Sequence, residues 1–519
     1  MHWTLIWKHR FARWLAAAAL FMPAGPTWAL EPHDIEGTAS LQDRITVADK
    51  ELAYTATAGK LLVRDNTGEP AAELFYLAYT LDGAETTERP LTFLWDGGPG
   101  GSTIAENIFG FGPKRYFHSR HNHPGAPYVL EDNPFSLLTH TDLVFLDPVG
   151  TGYSQALGKY GNEDFWGVEA DADSMSAAIE RYLHLNDRWQ SPKFMLGTSY
   201  GTTRTSIMAD KLQSLGVSLN GVILVASALN FGMQDNGMDQ QFLANVPTQA
   251  ATAWYHGKTA HQSKALPEFL KEVQEFVRKE YGPALYLGNA LPQSEREAIA
   301  RKLSGYTGLD ARYILGAHLR VSNVRFRKEL LRDQGIVLGR MDSRTTMADF
   351  DTVGEEPEND YWLIEHYLIP ARSIIEDFLG RELGYETTQK YRLVAEGAIQ
   401  QWNWSHYVPP FAGISTREID ERNIFPQNTW VAGNLSSAMR ANRKLQVFQA
   451  HAYFDFATPY AWGEHDLSHM TYDPQIMERI TAVRYKAGHA IFLDEEVLPQ
   501  MYRDLSRFYL HALGRQAEP

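Results

Sequence analysis

The stretch Lys193-Phe194-Met195-Leu196-Gly197-Thr198-Ser199-Tyr200-Gly201 constrains the fold more than any other part of the chain. Its apolar run reads as a short buried strand that passes straight into the pattern G-x-S-x-G. Small residues two before and two after the serine let the backbone turn sharply without a Cβ clash, so that one hydroxyl stands clear of a parallel sheet. Ser199 is therefore the candidate nucleophile. Such a corner needs a helix behind it, and Ile207, Met208, Leu212 and Leu215 are spaced for one apolar face, with Gly216 where a helix can end.

The rest of the chain supplies the sheet. Apolar runs at 61–63 and 74–79 are bounded by the turn residues Asp65-Asn66-Thr67-Gly68 and Asp82-Gly83, which predicts antiparallel strands at a sheet edge. Strands at 90–95, 142–146, 193–197 and 221–225 alternate with helical spacing at 171–187 and behind Ser199. Alternation of that kind implies an α/β fold, a mostly parallel central sheet flanked by helices. From about 230 to 440 the spacing turns helical: Phe269, Leu270, Val273, Phe276 and Val277 line one side of 267–281, and Ser294-x-x-Glu297 has the form of a capping box. Strands at 445–449 and 480–485 resume the sheet, and a helix near 495–513 closes it. The expected organisation is a core of residues 30–230 and 441–519, interrupted by a large helical lid insertion at 231–440.

Charge and cysteine usage exclude several function classes. Lys8, Arg10 and Arg13 precede an apolar run at 14–22, and Thr27-Trp28-Ala29 offers a cleavage site, so residues 1–29 are expected to be a secretory signal peptide. The formal net charge of −15 becomes −18 without that segment, and a surface so acidic repels phosphate backbones, which argues against a nucleic-acid partner. The chain has no cysteine, which rules out a thiol nucleophile and a thiolate metal site. Export without disulfides suits a bacterial periplasm. No later segment is apolar enough for a bilayer span. His118, His121 and His123 share one loop, and His465 and His469 are four apart, yet neither group has an H-E-x-x-H arrangement. No metal or cofactor is expected.

A serine hydroxyl is a weak nucleophile until a histidine takes its proton and a carboxylate orients that histidine. On a sheet of this type the chain order is serine, acid, histidine, with the last two on loops after the final strands. Asp455 follows strand 445–449 and His489 follows strand 480–485. Two N–H donors must also meet the developing oxyanion. One is the amide of Tyr200, and the other is expected from the Gly97-Gly98 loop after strand 90–95.

Four blocks now give the chain a resemblance to the serine carboxypeptidases, an α/β-hydrolase family with a helical insertion. Gly97-Gly98-Pro99-Gly100 is similar to the family's N-G-G-P-G, and Asp147-Pro148-Val149-Gly150-Thr151-Gly152-Tyr153-Ser154 to its D-x-P-x-G-x-G-[FY]-S. Gly197-Thr198-Ser199-Tyr200-Gly201 matches G-E-S-Y-[AG]-G in part, and Asp455 with Gly488-His489 completes the set. The resemblance implies a triad of Ser199, Asp455 and His489, and an oxyanion hole of the Gly98 and Tyr200 amides.

The departures concern substrate binding at Asp96, Gly97 and Thr198. In the family an asparagine before the double glycine and a protonated glutamate before the serine help hold the substrate's terminal carboxylate. Here those places hold Asp96 and Thr198, and ungapped alignment puts Gly110 where a further family carboxyl belongs. An ionised Asp96 repels a carboxylate. Three readings stay open: Asp96 is protonated or bonded, a cation such as Lys114, Arg115 or Arg204 takes over, or the substrate brings an amine. The expected function is an exported serine-type peptidase acting on peptides, most readily at their C-termini, through an acyl-enzyme on Ser199. An esterase, acyltransferase or aminopeptidase with the same triad, or a binding protein on an inactive hydrolase fold, are the competing readings.

Overall fold

A computed structural model describes residues 38–47, 49–117, 125–234, 237–357, 360, 364–406 and 429–515. The expected signal peptide at 1–29 and the loop with His118, His121 and His123 lie outside the described residues. Three antiparallel strands open the sheet: β1 (Ala39–Val47), β2 (Lys50–Arg64) and β3 (Pro70–Leu81). The β2–β3 turn is built by Asp65, whose Oδ1 accepts from the amides of Thr67 and Glu69 at 2.9 and 3.0 Å.

Six parallel strands follow: β4 (Leu91–Trp95), β5 (Asp142–Leu146), β6 (Lys193–Thr198), β7 (Gly221–Val225), β8 (Gln446–Ala452) and β9 (Ile480–Tyr485). Their order across the sheet is β1-β2-β3-β5-β4-β6-β7-β8-β9, which places β6 near the middle. Side chains alternate between the two faces: Phe194 and Leu196 of β6 join one core while Met195 joins the other. Helices α1 (Val168–Leu185) and α2 (Tyr200–Ser214) cover one face, and the C-terminal helix Leu498–Ala512 covers the other. This is an α/β-hydrolase architecture.

The stretch 231–440 falls into two parts. Helices α3 (Gln240–Tyr255), α4 (Leu266–Phe276) and α5 (Gln293–Thr307) build a separate core, to which Tyr453, Phe454 and Phe456 after β8 also belong. Described residues between 371 and 402 pack instead on the sheet: Ile374, Phe378 and Tyr391 share a core with β1 and β3, and Trp402 packs beside Tyr200. The capping box at Ser294 does not form. Pro292 takes the N-cap place with extended backbone, helix α5 starts at Gln293, and Glu297 bonds Gln293 instead. Proline's fixed φ sets the helix start two residues ahead of where a Ser294 cap would place it.

Candidate active site

Ser199 sits at the tip of β6 with φ 58° and ψ −127°, a conformation that non-glycine residues rarely adopt. Neighbouring bonds impose it. The Ser199 amide donates to Val225 O at 2.9 Å, and its carbonyl accepts from the Thr202 amide and hydroxyl at 2.9 and 2.6 Å. The corner is so tight that a Cβ on Gly197 would come within 2.2 Å of Gly201 O. A Cβ on Gly97 would lie 2.5 Å from Tyr200 N. Both glycines are therefore required by close approach.

The acid and base come together as the chain order predicts. Asp455 is fully buried, and its Oδ2 lies 2.8 Å from His489 Nδ1. The remaining acceptor sites of Asp455 are filled: Oδ1 takes the amides of Ala457 and Thr458 at 2.7 and 3.0 Å, and Oδ2 takes the Thr458 hydroxyl at 2.8 Å. A carboxyl group held by so many donors is fixed in place and orients the imidazole. His489 and Ser199 line one cavity of about 370 Å³, with Asp96, Gly98 and Thr198 on its floor. Neither the Ser199 hydroxyl nor His489 Nε2 has a hydrogen-bond partner among the described residues, so both are free to engage a substrate. The amides of Gly98 and Tyr200 likewise donate to no protein acceptor among the described residues.

Asp96 is half-buried, and its Oδ1 accepts its neighbour Gly97's amide at 2.6 Å. Burial pushes its carboxyl above the usual range, opposed by that amide and by the charges of His489 and Arg204. Of the three cations considered for a substrate carboxylate, two are paired elsewhere and the third is buried away from the cavity. Lys114 pairs with Asp43 and Asp132, at 3.3 and 3.2 Å. Arg204 is clamped to Asp171 at 2.7 Å and to Asp96 O at 2.8 Å, and Arg115 is 1% exposed, so none of the three lines the cavity. The block 147–154 is a structural clasp. Asp147 accepts from the Thr103 amide and hydroxyl, both at 2.8 Å, and from Tyr391 at 2.8 Å, while Ser154 Oγ donates to Asp147 O at 2.7 Å.

Two features escaped sequence reasoning. Glu106 lies on a π-helical turn (Ala105–Phe111) one turn before Gly110, fully buried, with neither carboxyl oxygen hydrogen-bonded. Burial, and the Asp96 carboxyl beside it, push it well above the ordinary carboxylate range. An acid beside one asparagine in the mainly apolar run 104–111 was its one signal. The second is a strap from the insertion, residues 340–344, laced between the two catalytic loops. Phe456 N donates to Arg340 O at 3.1 Å, His489 N to Met341 O at 2.6 Å, and Ser343 N to Phe454 O at 2.9 Å. Arg344, 5% exposed in its side chain, bridges Asp342 and Asp494 at 2.5 and 2.7 Å and donates to Lys486 O at 2.6 Å. No side-chain motif announces a strap made mainly of backbone bonds.

His465 and His469 stack with ring centroids 4.0 Å apart, and among the described residues no group of three or more His, Asp or Glu could hold a metal. No helix among the described residues is long and apolar enough to cross a membrane.

Residues 50–280 match the profile of the family described as serine carboxypeptidase. No curated protein sequence matches the chain significantly. Among solved structures the chain is similar to a proline iminopeptidase from Mycobacterium smegmatis, 12% identical, covering 91% of this chain and 100% of that one, TM-score 0.33. It is also similar to an acetylester hydrolase from Corynebacterium glutamicum, 11% identical, covering 91% and 95%, TM-score 0.36. A carboxyl esterase from Bacillus coagulans is 12% identical, covering 88% and 98%, TM-score 0.34.

Proposed function

We propose, on the premise that this chain is a hydrolase of the serine carboxypeptidase family, that it releases C-terminal residues from peptides through an acyl-enzyme on Ser199. The observation that carries the reading is the bond of 2.8 Å between Asp455 and His489, in a cavity shared with the Ser199 hydroxyl. Ser199 Oγ attacks the scissile carbonyl while His489 Nε2 takes its proton. Asp455 holds the Nδ1 proton and steadies the imidazolium. The carbonyl oxygen becomes an oxyanion received by the Gly98 and Tyr200 amides, which donate to no protein acceptor among the described residues. His489 then protonates the leaving amine, and water repeats the sequence to free the acyl group. The basic residues Lys8, Arg10 and Arg13 ahead of the apolar run at 14–22 support export of the chain to a secreted or periplasmic location with removal of residues 1–29.

Fluorophosphonate labelling tests the enzyme reading. A probe that marks the wild type and fails to mark Ser199→Ala supports it; labelling that persists in the variant moves the nucleophile elsewhere. Detection of the chain outside the cytoplasm only when residues 1–29 are present tests the export.

A further inference from the structure

We propose that Arg340 binds the substrate's free C-terminal carboxylate on the leaving-group side of the cavity, a role that rests on the carboxypeptidase reading above. Arg340 is exposed and lines the cavity that holds Ser199 and His489. Among the described residues its guanidinium has no hydrogen bond or ion pair, and it is the one cation of the cavity wall left uncommitted. Arg344, the other, is already bonded to two carboxylates. A planar guanidinium with five donors suits a carboxylate better than any neutral group can, because two parallel bonds form at once.

Position matters as much as charge. The base that deprotonates the serine later protonates the leaving amine, so the departing residue and its carboxylate must lie on the side of His489. Met341 O accepts the His489 amide at 2.6 Å, and Arg340 is the next residue along the strap. Its own backbone is fixed at both ends: the amide donates to Asp360 Oδ2 at 2.7 Å, and the carbonyl accepts from Phe456 N at 3.1 Å. The guanidinium is thus a mobile head on a rigid mount beside the general acid.

The acidic groups of the same wall do not cancel it. Asp342 and Asp494 are paired with Arg344, and Asp360, whose Oδ2 accepts the amides of Arg340 and Met341, does not line the cavity. Glu495 and Glu496 are exposed at the mouth, where water and salt screen them. Asp96 lies at the floor beside the nucleophile, where burial disfavours its charge.

One peptide, offered as free acid and as C-terminal amide, tests the assignment in the wild type, Arg340→Gln and Arg340→Lys, with products identified by mass spectrometry and folding checked by melting. The preference for acid over amide in kcat/KM should fall about 10- to 100-fold in Arg340→Gln, chiefly through KM, and recover in part in Arg340→Lys. Equal losses on both peptides, or an unchanged ratio in an enzyme that does trim C-termini, would overturn the role of Arg340 alone. A wild type that releases N-terminal residues, or cleaves esters and no peptide, would overturn the carboxypeptidase reading and Arg340's role with it.

Discussion

Catalysis at the level of single residues depends on how firmly the acid holds the base. Asp455 has no unfilled acceptor site facing water, and the Thr458 hydroxyl also lies 3.3 Å from His489 Nδ1. Replacing Thr458 by Val removes one donor to a charged acceptor and should lower kcat about tenfold, with KM little changed, in steady-state kinetics. His489→Ala removes proton transfer altogether and should cost about 10⁴-fold in kcat while substrate affinity changes far less. Comparable turnover in that variant would mean a different base. Thr198 stands where the family carries a titrating glutamate, and its hydroxyl has no proton to lose in the working range. Turnover of free-acid peptides should therefore persist to neutral pH, and a kcat/KM profile that peaks in strong acid would contradict this. The Asp455–His489 pairing and its shared cavity with Ser199 could be anticipated because each of the three follows a strand that reads from its apolar run. Glu106 was nearly illegible, since sequence shows an acid but not that its neighbours exclude water.

At the scale of elements, the strap 340–344 ties the insertion directly to the loops that carry Asp455 and His489. Arg344 closes the strap onto the His489 loop through Asp494 and Lys486 O. Arg344→Met leaves two nearly buried carboxylates without their partner, a loss of about 3 kcal/mol or more. Melting should drop by several degrees, and kcat on a small ester should fall at least about tenfold because the His489 loop loses an anchor. An unchanged kcat in a destabilised variant would reduce the strap to a purely structural tie. Strands 142–146 and 221–225 were readable to the residue because they are short and apolar, and local steric rules end them. The strap was not readable, since it works through carbonyls and amides that every residue carries. Nor did reading 231–440 as one helical insertion reveal that Ile374 and Phe378 pack on the sheet with β3.

Across the whole molecule, β8 feeds all three cores: Val447 joins one sheet core, Phe448 and Ala450 the other, and Phe454 and Phe456, on either side of Asp455, join the core of the insertion. Acid stability should register this crowding. His451, on β8, is 1% exposed with neither ring nitrogen bonded, and burial pushes its pKa down to about 3. The unfolded chain binds that proton from about pH 6.5, so stability falls as pH drops below that value, by at most about 1.4 kcal/mol per unit from this group. Asp147 acts oppositely: burial raises it to about 6, so it favours the folded state as pH falls from 6 towards 4. The melting temperature of His451→Asn should consequently depend less on pH between 7 and 4 than that of the wild type; parallel curves would show that His451 is not the acid-labile group. The central claim, that the Ser199, His489 and Asp455 assembly removes residues from peptide C-termini, is tested most directly by following one peptide over time by mass spectrometry with wild type and Ser199→Ala. The expected result is a ladder of products shortened one residue at a time from the C-terminus, absent with the variant. Products shortened from the N-terminus, or a ladder that survives the loss of the Ser199 hydroxyl, would contradict it.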